Sequence, residues 1–185
     1  KMTTNIKVDK QAAIQAYIQM MKSQGQTVSE AEVTALITLM LPKLKDEGID
    51  VKTVTENGKD YYVIDYSQNI KKGDLQKEFG VEGFDTYVTT DTFYMNGDIM
   101  KLLDAEDVDI FAAYKEMGVE LKEEDIQTSI TVQFPNAIVS TNGAKDASNP
   151  NAAIFSVPLT GKINMFATTK AGVTEASVKA TIKKL

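Results

Sequence analysis

The chain of 185 residues contains no cysteine, histidine or tryptophan, and all 20 of its basic residues are lysines. Without thiol and imidazole groups it cannot form disulfides, thiolate nucleophiles, histidine triads, or the usual zinc and iron–sulfur sites. Without arginine it lacks the bidentate fork that binds phosphates, and a net charge of -6 opposes binding to nucleic acid. We therefore expect no enzyme, no cofactor and no nucleic-acid partner.

The remaining composition is that of an ordinary globular protein, with 43% hydrophobic and 25% charged residues. No run approaches the roughly 18 apolar residues of a membrane-spanning helix. We expect one soluble domain over residues 1–185. Lys1 precedes Met2, which a removed signal peptide would explain, as would excision of a domain from a longer chain.

The N-terminal part predicts a strand followed by a helix. Residues 3–8 alternate as in a strand, and Asp9 can cap the helix that follows. Gly25 is placed to end this helix. Its apolar positions recur with helical spacing: Ile14, Tyr17, Ile18 and Met21.

A second helix is predicted by a capping box, formed by Ser29 and Glu32. We expect a kink or break at Pro42 and an end at Gly48. One apolar face is predicted, made of Val33, Leu36, Ile37, Met40 and Leu44. The helical pair, residues 9–48, is then an insertion or a layer on a sheet.

The rest of the chain predicts hairpins and shorter helices. Asn57-Gly58 favours a type I′ turn between strands at residues 51–56 and 59–66. Further strands are predicted at residues 84–95, 126–134, 153–159 and 162–168, the last two as a hairpin about Thr160-Gly161. Short helices are predicted at residues 74–80, 98–103 and 108–117, and the tail after residue 178 fits either a strand or a helix. The pattern indicates an α+β fold, mainly an antiparallel sheet with helices packed on one side.

Two segments resemble LppM-type bacterial lipoproteins: ITVQFPNAIVSTNG at residues 130–143 and AIFSV at residues 153–157. The matching positions are Pro135, Asn142-Gly143 and Phe155, the last of which stands where the family has tryptophan. The resemblance implies an extracellular domain of unassigned function, held by a lipid anchor on the cell envelope of a Gram-positive bacterium. Its partner would be a protein, glycan or lipid at the cell surface.

Two groups of acids are candidate sites. Asp104, Glu106, Asp107 and Asp109 could offer oxygen ligands to calcium, but the EF-hand spacing is absent. We favour helix capping and helix electrostatics for these four. Glu123, Glu124 and Asp125 could supply a carboxylate pair for glycoside hydrolysis. Because adjacent acids point to different faces, we favour a solvated turn.

Aromatic and methionine residues suggest a second functional hypothesis. Strand aromatics could line a sugar- or lipid-binding face, and methionines an adaptable apolar groove, although core packing is the simpler interpretation. These residues are Tyr61, Tyr62, Tyr66, Tyr87, Phe93, Tyr94, Met20, Met21 and Met40. Three functions remain open: a non-enzymatic binding domain of a surface lipoprotein, a carrier of an apolar ligand between sheet and helices, and a carboxylate-based hydrolase, which we favour least.

Overall fold

The computed structural model describes residues 1–47, 49–70, 84–98, 112, 115–116, 118, 122 and 125–184. Backbone contacts group the chain into two compact units. The first unit contains Lys1–Thr4, Ser67–Glu106 and Thr128–Leu185, and the second contains Asn5–Tyr66 and Asp107–Gln127. The predicted α+β class with antiparallel sheets is confirmed. A single domain over residues 1–185 stays a prediction.

Some predicted helices fall on residues that are not described. Residues 74–80 lie outside the described residues, as do all of residues 98–103 except Asp98, which ends a strand. Of residues 108–117, the three that are described are helical. No described helix is long and apolar enough to cross a membrane.

The second unit begins with most of strand β1 (Met2–Asp9) and helix α1 (Lys10–Ser23). The predicted cap is confirmed, because the Asp9 carboxylate accepts hydrogen bonds from the backbone N–H groups of Gln11 and Ala12 at 2.9 and 3.0 Å. Gly25 follows the helix with φ +77°, the left-handed conformation that glycine adopts without strain. Local sequence thus sets both ends of α1.

Helix α2 (Glu30–Asp46) begins at the predicted capping box of Ser29 and Glu32. The two hydrogen bonds from Ser29 lower the pKa of Glu32. The predicted break at Pro42 is wrong, since the helix continues through it. Pro42 lies on an exposed side of α2, where water can satisfy the carbonyl that proline leaves without a donor.

The predicted apolar face of α2 is only partly buried. Helix α1 packs against α2, and these helices bury Ile14 and Val33, which are 2% and 1% exposed. Leu36 and Met40 are 39% and 47% exposed. They lie on the same face as Val33, three and seven positions further along the helix, so the rest of the unit covers only part of this face.

Strands β2 (Asp50–Glu56) and β3 (Lys59–Gln68) form the predicted hairpin. Asn57 and Gly58 both have positive φ, 52° and 77°, as a type I′ turn requires. Within this unit the strands lie in the order β2-β3-β1. Ion pairs cover the exposed surface of these strands: Lys52 lies 3.0 Å from Asp50 and 3.3 Å from Asp65.

The first unit contains two sheets. One has four strands in the order β4-β5-β10-β7, and the other contains the start of β1, then β6, β9 and β8. Their bounds are Asp85–Val88 for β4, Thr92–Asp98 for β5, Ile126–Gln133 for β6, Ser140–Thr141 for β7, Ala144–Lys145 for β8, Ala152–Val157 for β9 and Lys162–Thr168 for β10.

The main core of the first unit is formed by residues of both sheets. The rings of Phe93 on β5 and Phe155 on β9 have centroids 6.4 Å apart. Small residues complete the contact, since Ala153 and Ala167 are fully buried. The other buried members are Met2, Phe84, Met95, Val132, Phe134, Ile138, Val157, Ile163 and Met165.

The tail of the chain is helix α3 (Glu175–Ile182), which settles the ambiguity between strand and helix. A capping box of Thr174 and Ser177 starts it. Its Val178 packs with Tyr94 of β5 and Phe166 of β10 in a second buried cluster. The four-stranded sheet therefore buries side chains on both faces.

The single strand predicted at residues 84–95 is wrong, because two antiparallel strands, β4 and β5, occupy this region. The Thr89 hydroxyl accepts hydrogen bonds from the backbone N–H groups of Asp91 and Thr92, at 3.3 and 3.0 Å, and forms the turn. Gly97 lies inside β5 and does not end it. A side chain there would collide with the Phe84 ring, 2.4 Å from a Cβ.

The hairpin predicted about Thr160-Gly161 is also wrong. Strand β9 pairs with β6 and β8, whereas β10 pairs with β5 and β7. The connection therefore crosses from one sheet to the other. Alternating apolar residues and a Gly161 with φ +92° suit both a hairpin and such a crossing, so the sequence pattern could not distinguish them.

We predict that Gly143→Ala destabilises the protein more than Gly97→Ala. A Cβ at position 143 meets the Ile154 carbonyl oxygen at 2.6 Å as well as the Phe155 ring, and a β9 carbonyl cannot move without disturbing the ladder. We expect a loss of about 2–4 kcal/mol for Gly143→Ala and about 1–2 kcal/mol for Gly97→Ala. Urea unfolding followed by circular dichroism measures both, and equal losses would contradict the argument.

Candidate functional site

The first unit has an apolar cleft of about 580 Å³ between its two sheets. The nearly buried floor is formed by Phe93 of β5, Val132 of β6 and Phe134, which are 1%, 4% and 7% exposed. Half-buried Ile70 and Val88 form part of the walls. We call this feature the apolar cleft.

The rim of the apolar cleft is polar. Thr89 and Thr90 lie at the β4–β5 turn, and Gln133 and Lys1 lie where β6 meets the start of β1. Hydroxyl, amide and ammonium groups thus border an apolar floor. This combination suits a ligand with a hydrocarbon body and a polar end, and the volume is within the range of small-molecule sites.

The candidate calcium ligands Asp104, Glu106, Asp107 and Asp109 lie outside the described residues, as do Glu123 and Glu124. Asp125 is described, and its carboxylate accepts a hydrogen bond from the Lys122 backbone N–H at 2.9 Å in a local turn. In the described part of the chain no three acidic groups come together as metal ligands.

The six aromatic candidates are divided equally between the two units. Phe93 lies in the floor of the apolar cleft, and Tyr94 and Tyr87 pack with α3. The two adjacent tyrosines of β3 pack with lysines, since Lys7 Nζ lies 4.2 Å from the Tyr61 ring centroid and Lys10 Nζ 5.9 Å from that of Tyr62. Tyr66 is 46% exposed. Within neither unit do its three aromatic candidates form a shared sugar-binding face.

The methionine candidates belong to the second unit, whereas the apolar cleft belongs to the first. Met20 and Met21 are half-buried on α1, and Met40 is exposed on α2. The cleft also differs in position from the predicted carrier site, because it lies between two sheets and not between a sheet and the helices.

A polar cluster ties α3 to the four-stranded sheet. The Glu175 carboxylate lies 2.6 Å from Lys179 Nζ and accepts hydrogen bonds from the amides of Asn164 and Asn142 at 2.9 and 3.3 Å. The side-chain oxygen Oδ1 of Asn142 in turn accepts a hydrogen bond from the Phe166 backbone N–H at 2.8 Å. These bonds replace ladder hydrogen bonds at the edge where β7 ends.

The charges in this cluster stabilise one another. The bonds to Lys179 and Asn164 lower the pKa of Glu175, and the same contact with Glu175 raises the pKa of Lys179. Burial raises the pKa of Tyr94, which is fully enclosed beside Lys179. A charged carboxylate, a charged ammonium and an inaccessible phenol indicate a structural cluster and not a reactive one.

The second unit has a polar cleft of about 620 Å³ near the start of α1. Charged groups that line it already have partners within the unit. The Asp9 carboxylate caps α1 and lies 3.7 Å from Lys59 Nζ, and the Glu30 carboxylate accepts a hydrogen bond from the Gln11 side chain at 3.4 Å. Both signs of charge alternate around it, which favours no class of ligand. The apolar cleft is the better candidate site.

Comparison with family models, curated proteins and solved structures finds no match to this chain. The resemblance to LppM-type lipoproteins therefore stays a prediction. The residues that carry it have structural positions: Gly143 lies against Phe155, and Asn142 joins the sheet to α3.

Some residues that line the cleft were singled out in the sequence analysis, but they were not predicted to form one site. Phe93 was among the candidate aromatics, and Val132 and Phe134 belong to the predicted alternating strand. Val88 and Ile70 were missed, because an isolated apolar residue carries no binding signal. The sequence does not show that β5 and β6, which are far apart in the chain, belong to two sheets that pack against each other.

We predict a pH-dependent effect of Glu175→Gln on stability. Because the pKa of Glu175 is lowered in the folded protein, its contribution is complete above the usual glutamate range and disappears as pH falls through the folded-state pKa. At pH 7 the variant should lose about 1 kcal/mol, and this difference should close in acid.

The matched control is Glu30→Gln, which removes one of the two first-turn glutamates of α2, as Glu175→Gln removes the first-turn glutamate of α3. No ion pair joins Glu30 to a lysine among the described residues. Thermal unfolding between about pH 3 and 8 gives both pH profiles. A Glu175→Gln loss that persists unchanged at the acidic end would rule out the charged contact as its source.

Proposed function

We propose that the chain is a non-enzymatic binding domain of a bacterial surface lipoprotein, and that its ligand has a hydrocarbon chain held in the apolar cleft. The cleft carries this proposal. Its floor of Phe93, Val132 and Phe134 offers no polar side-chain group, so only an apolar body gains free energy by displacing water there, at about 25 cal/mol per Å².

The polar rim supports a ligand with a polar end. Thr89, Thr90 and Gln133 can each donate and accept hydrogen bonds, and they border the apolar floor on one side. A lipid or fatty acid combines both kinds of group. This narrows the expected partner at the cell surface from a protein, glycan or lipid to a lipid.

The absence of catalysis is part of the proposal. The composition lacks imidazole and thiol groups, and three of the described acids stabilise the fold. Asp9 caps α1, Glu32 closes the capping box of α2, and Glu175 pairs with Lys179. The carboxylate-based hydrolase is therefore the least supported of the three functions.

We predict that the chain binds palmitate and that Val88→Asp weakens this binding at least about tenfold, because a carboxylate in the wall desolvates poorly and repels the ligand. Val139→Asp is the matched control, since Val139 is a 51% exposed valine of the same unit outside the cleft. Isothermal titration measures affinity, and native mass spectrometry after gentle purification detects bound lipid.

Thr90→Asp provides a second variant in case Val88→Asp disturbs β4. Thr90 is exposed at the rim, so the fold should tolerate the change, while a second carboxylate there should weaken palmitate binding. Equal affinity of the wild type and both cleft variants, or no palmitate binding by the wild type, would exclude the apolar cleft as the site.

We also predict that the gene encodes a signal peptide with a lipid-modified cysteine upstream of Lys1. This expectation rests on the resemblance around residues 130–143 and 153–157. Reading the genomic sequence upstream tests it. A cytoplasmic start codon immediately before this segment, with no signal peptide, would remove the envelope assignment while leaving the lipid-binding prediction to be tested separately.

A further inference from the structure

Helix α2 has an exposed apolar surface. Leu36, Leu39 and Met40 are 39%, 71% and 47% exposed, and they are three of the five large hydrophobic residues found exposed in the described part of the chain. They lie within five consecutive positions, and Leu39 is rotated by about 120° around α2 from buried Val33. Concentration on one helix face distinguishes them from scattered surface residues.

The order of residues along this face is self-complementary. Glu32, Leu36, Leu39 and Lys43 share one stripe, because intervals of three and four residues return to the same side of a helix. The stripe reads acid, leucine, leucine, base. Turned end for end about its midpoint, it places a leucine against each leucine and a base against each acid.

The flanking residues follow the same symmetry. In an antiparallel pair of α2 helices with a two-fold axis midway between Ile37 and Thr38, Ala35 and Met40 lie at equal distances from the axis and on opposite flanks of the stripe. Each flank then meets the same flank of the second copy, so the two Met40 side chains lie on one side of the pair. Lys43 has no ion pair within the described residues, so it is free to meet Glu32 of the second copy.

We infer that α2 is the contact surface of a symmetric homodimer, in which two copies of this chain pair their α2 helices antiparallel through Leu36, Leu39 and Met40. The partner is a second copy because a two-fold interface must be complementary to itself, and both the charges and the leucines of the stripe meet that condition. The inference is independent of the apolar cleft.

Other occupants fit less well. An anionic membrane surface attracts faces rich in lysine, whereas α2 has Glu30, Glu32 and Asp46 against Lys43 and Lys45. The pairing is also expected to be weak. One pair of 17-residue helices buries less than the roughly 1,200–2,000 Å² of a stable interface, so dissociation constants of about 10 μM to 1 mM are expected.

Sedimentation velocity of the full chain, from about 10 μM to 1 mM, tests this inference. The wild type should show a reversible shift from monomer to dimer. Leu39→Glu should weaken dimerisation at least about tenfold, because the change occurs twice in each dimer. Val139→Glu is the control, since it makes the same kind of change at an exposed residue outside α2.

A charge exchange tests the antiparallel arrangement. Lys43→Glu alone and Glu32→Lys alone place like charges opposite each other twice, and each should weaken dimerisation. An equimolar mixture of the two variants restores two attractive pairs and should recover wild-type association. Circular dichroism checks that Glu32→Lys, which also alters the capping box, leaves the helix content unchanged.

Three results would overturn the inference. A wild type that stays monomeric at 1 mM excludes the homodimer. A mixture of the charge variants that associates no better than either variant alone excludes the antiparallel pairing. Sedimentation of the chain with anionic lipid vesicles, lost in Leu39→Glu but without self-association in solution, would assign the α2 face to a membrane surface.

Discussion

The contact between the two sheets of the first unit is the interaction on which its other features depend. Strands β5 and β10 are buried on both faces, so alternate residues belong to different cores: Phe93 and Met165 face the other sheet, and Tyr94 and Phe166 face α3. Fully buried Ala167 and Ala153 fit where a larger side chain would separate the layers. The apolar cleft lies where this packing gives way at the β4–β5 turn. A ligand there would complete a contact that the side chains leave open.

The three Asn-Gly pairs show how one sequence signal serves different structures. Asn57-Gly58 forms the tight turn that such a pair usually predicts. Gly97 is required because the Phe84 ring covers its backbone, and Gly143 because Phe155 and a carbonyl of β9 lie against it. The resemblance to LppM-type lipoproteins is carried by the Asn142-Gly143 pair and by Phe155, which are packing and hydrogen-bonding residues. It therefore informs the fold more than the ligand.

Elements set by neighbouring residues could be predicted from the sequence. The caps at Asp9 and Ser29, the first hairpin and strand β6 are fixed by interactions within a few residues. Strand pairing was not predictable where one pattern suits two arrangements. A turn at Gly161 connects two sheets as well as two paired strands, and only the distant partners of β9 and β10 decide between these outcomes. The candidate site could not be predicted for the same reason, because Phe93 and Val132 come together only when the two sheets pack against each other.

Helix α2 also shows what the sequence could not predict, namely how much of an apolar helix surface is buried. Five of its apolar residues were predicted to form one face, and α1 and the sheet cover that face only in part. Val33 is 1% exposed, whereas Leu39 on another side is 71% exposed. A helix that serves a single core needs one apolar stripe with polar residues opposite. The stripe from Glu32 to Lys43 is complementary to itself when it is reversed, and within this unit it leaves Leu39 largely exposed. A second α2 helix lying against this stripe would cover its leucines.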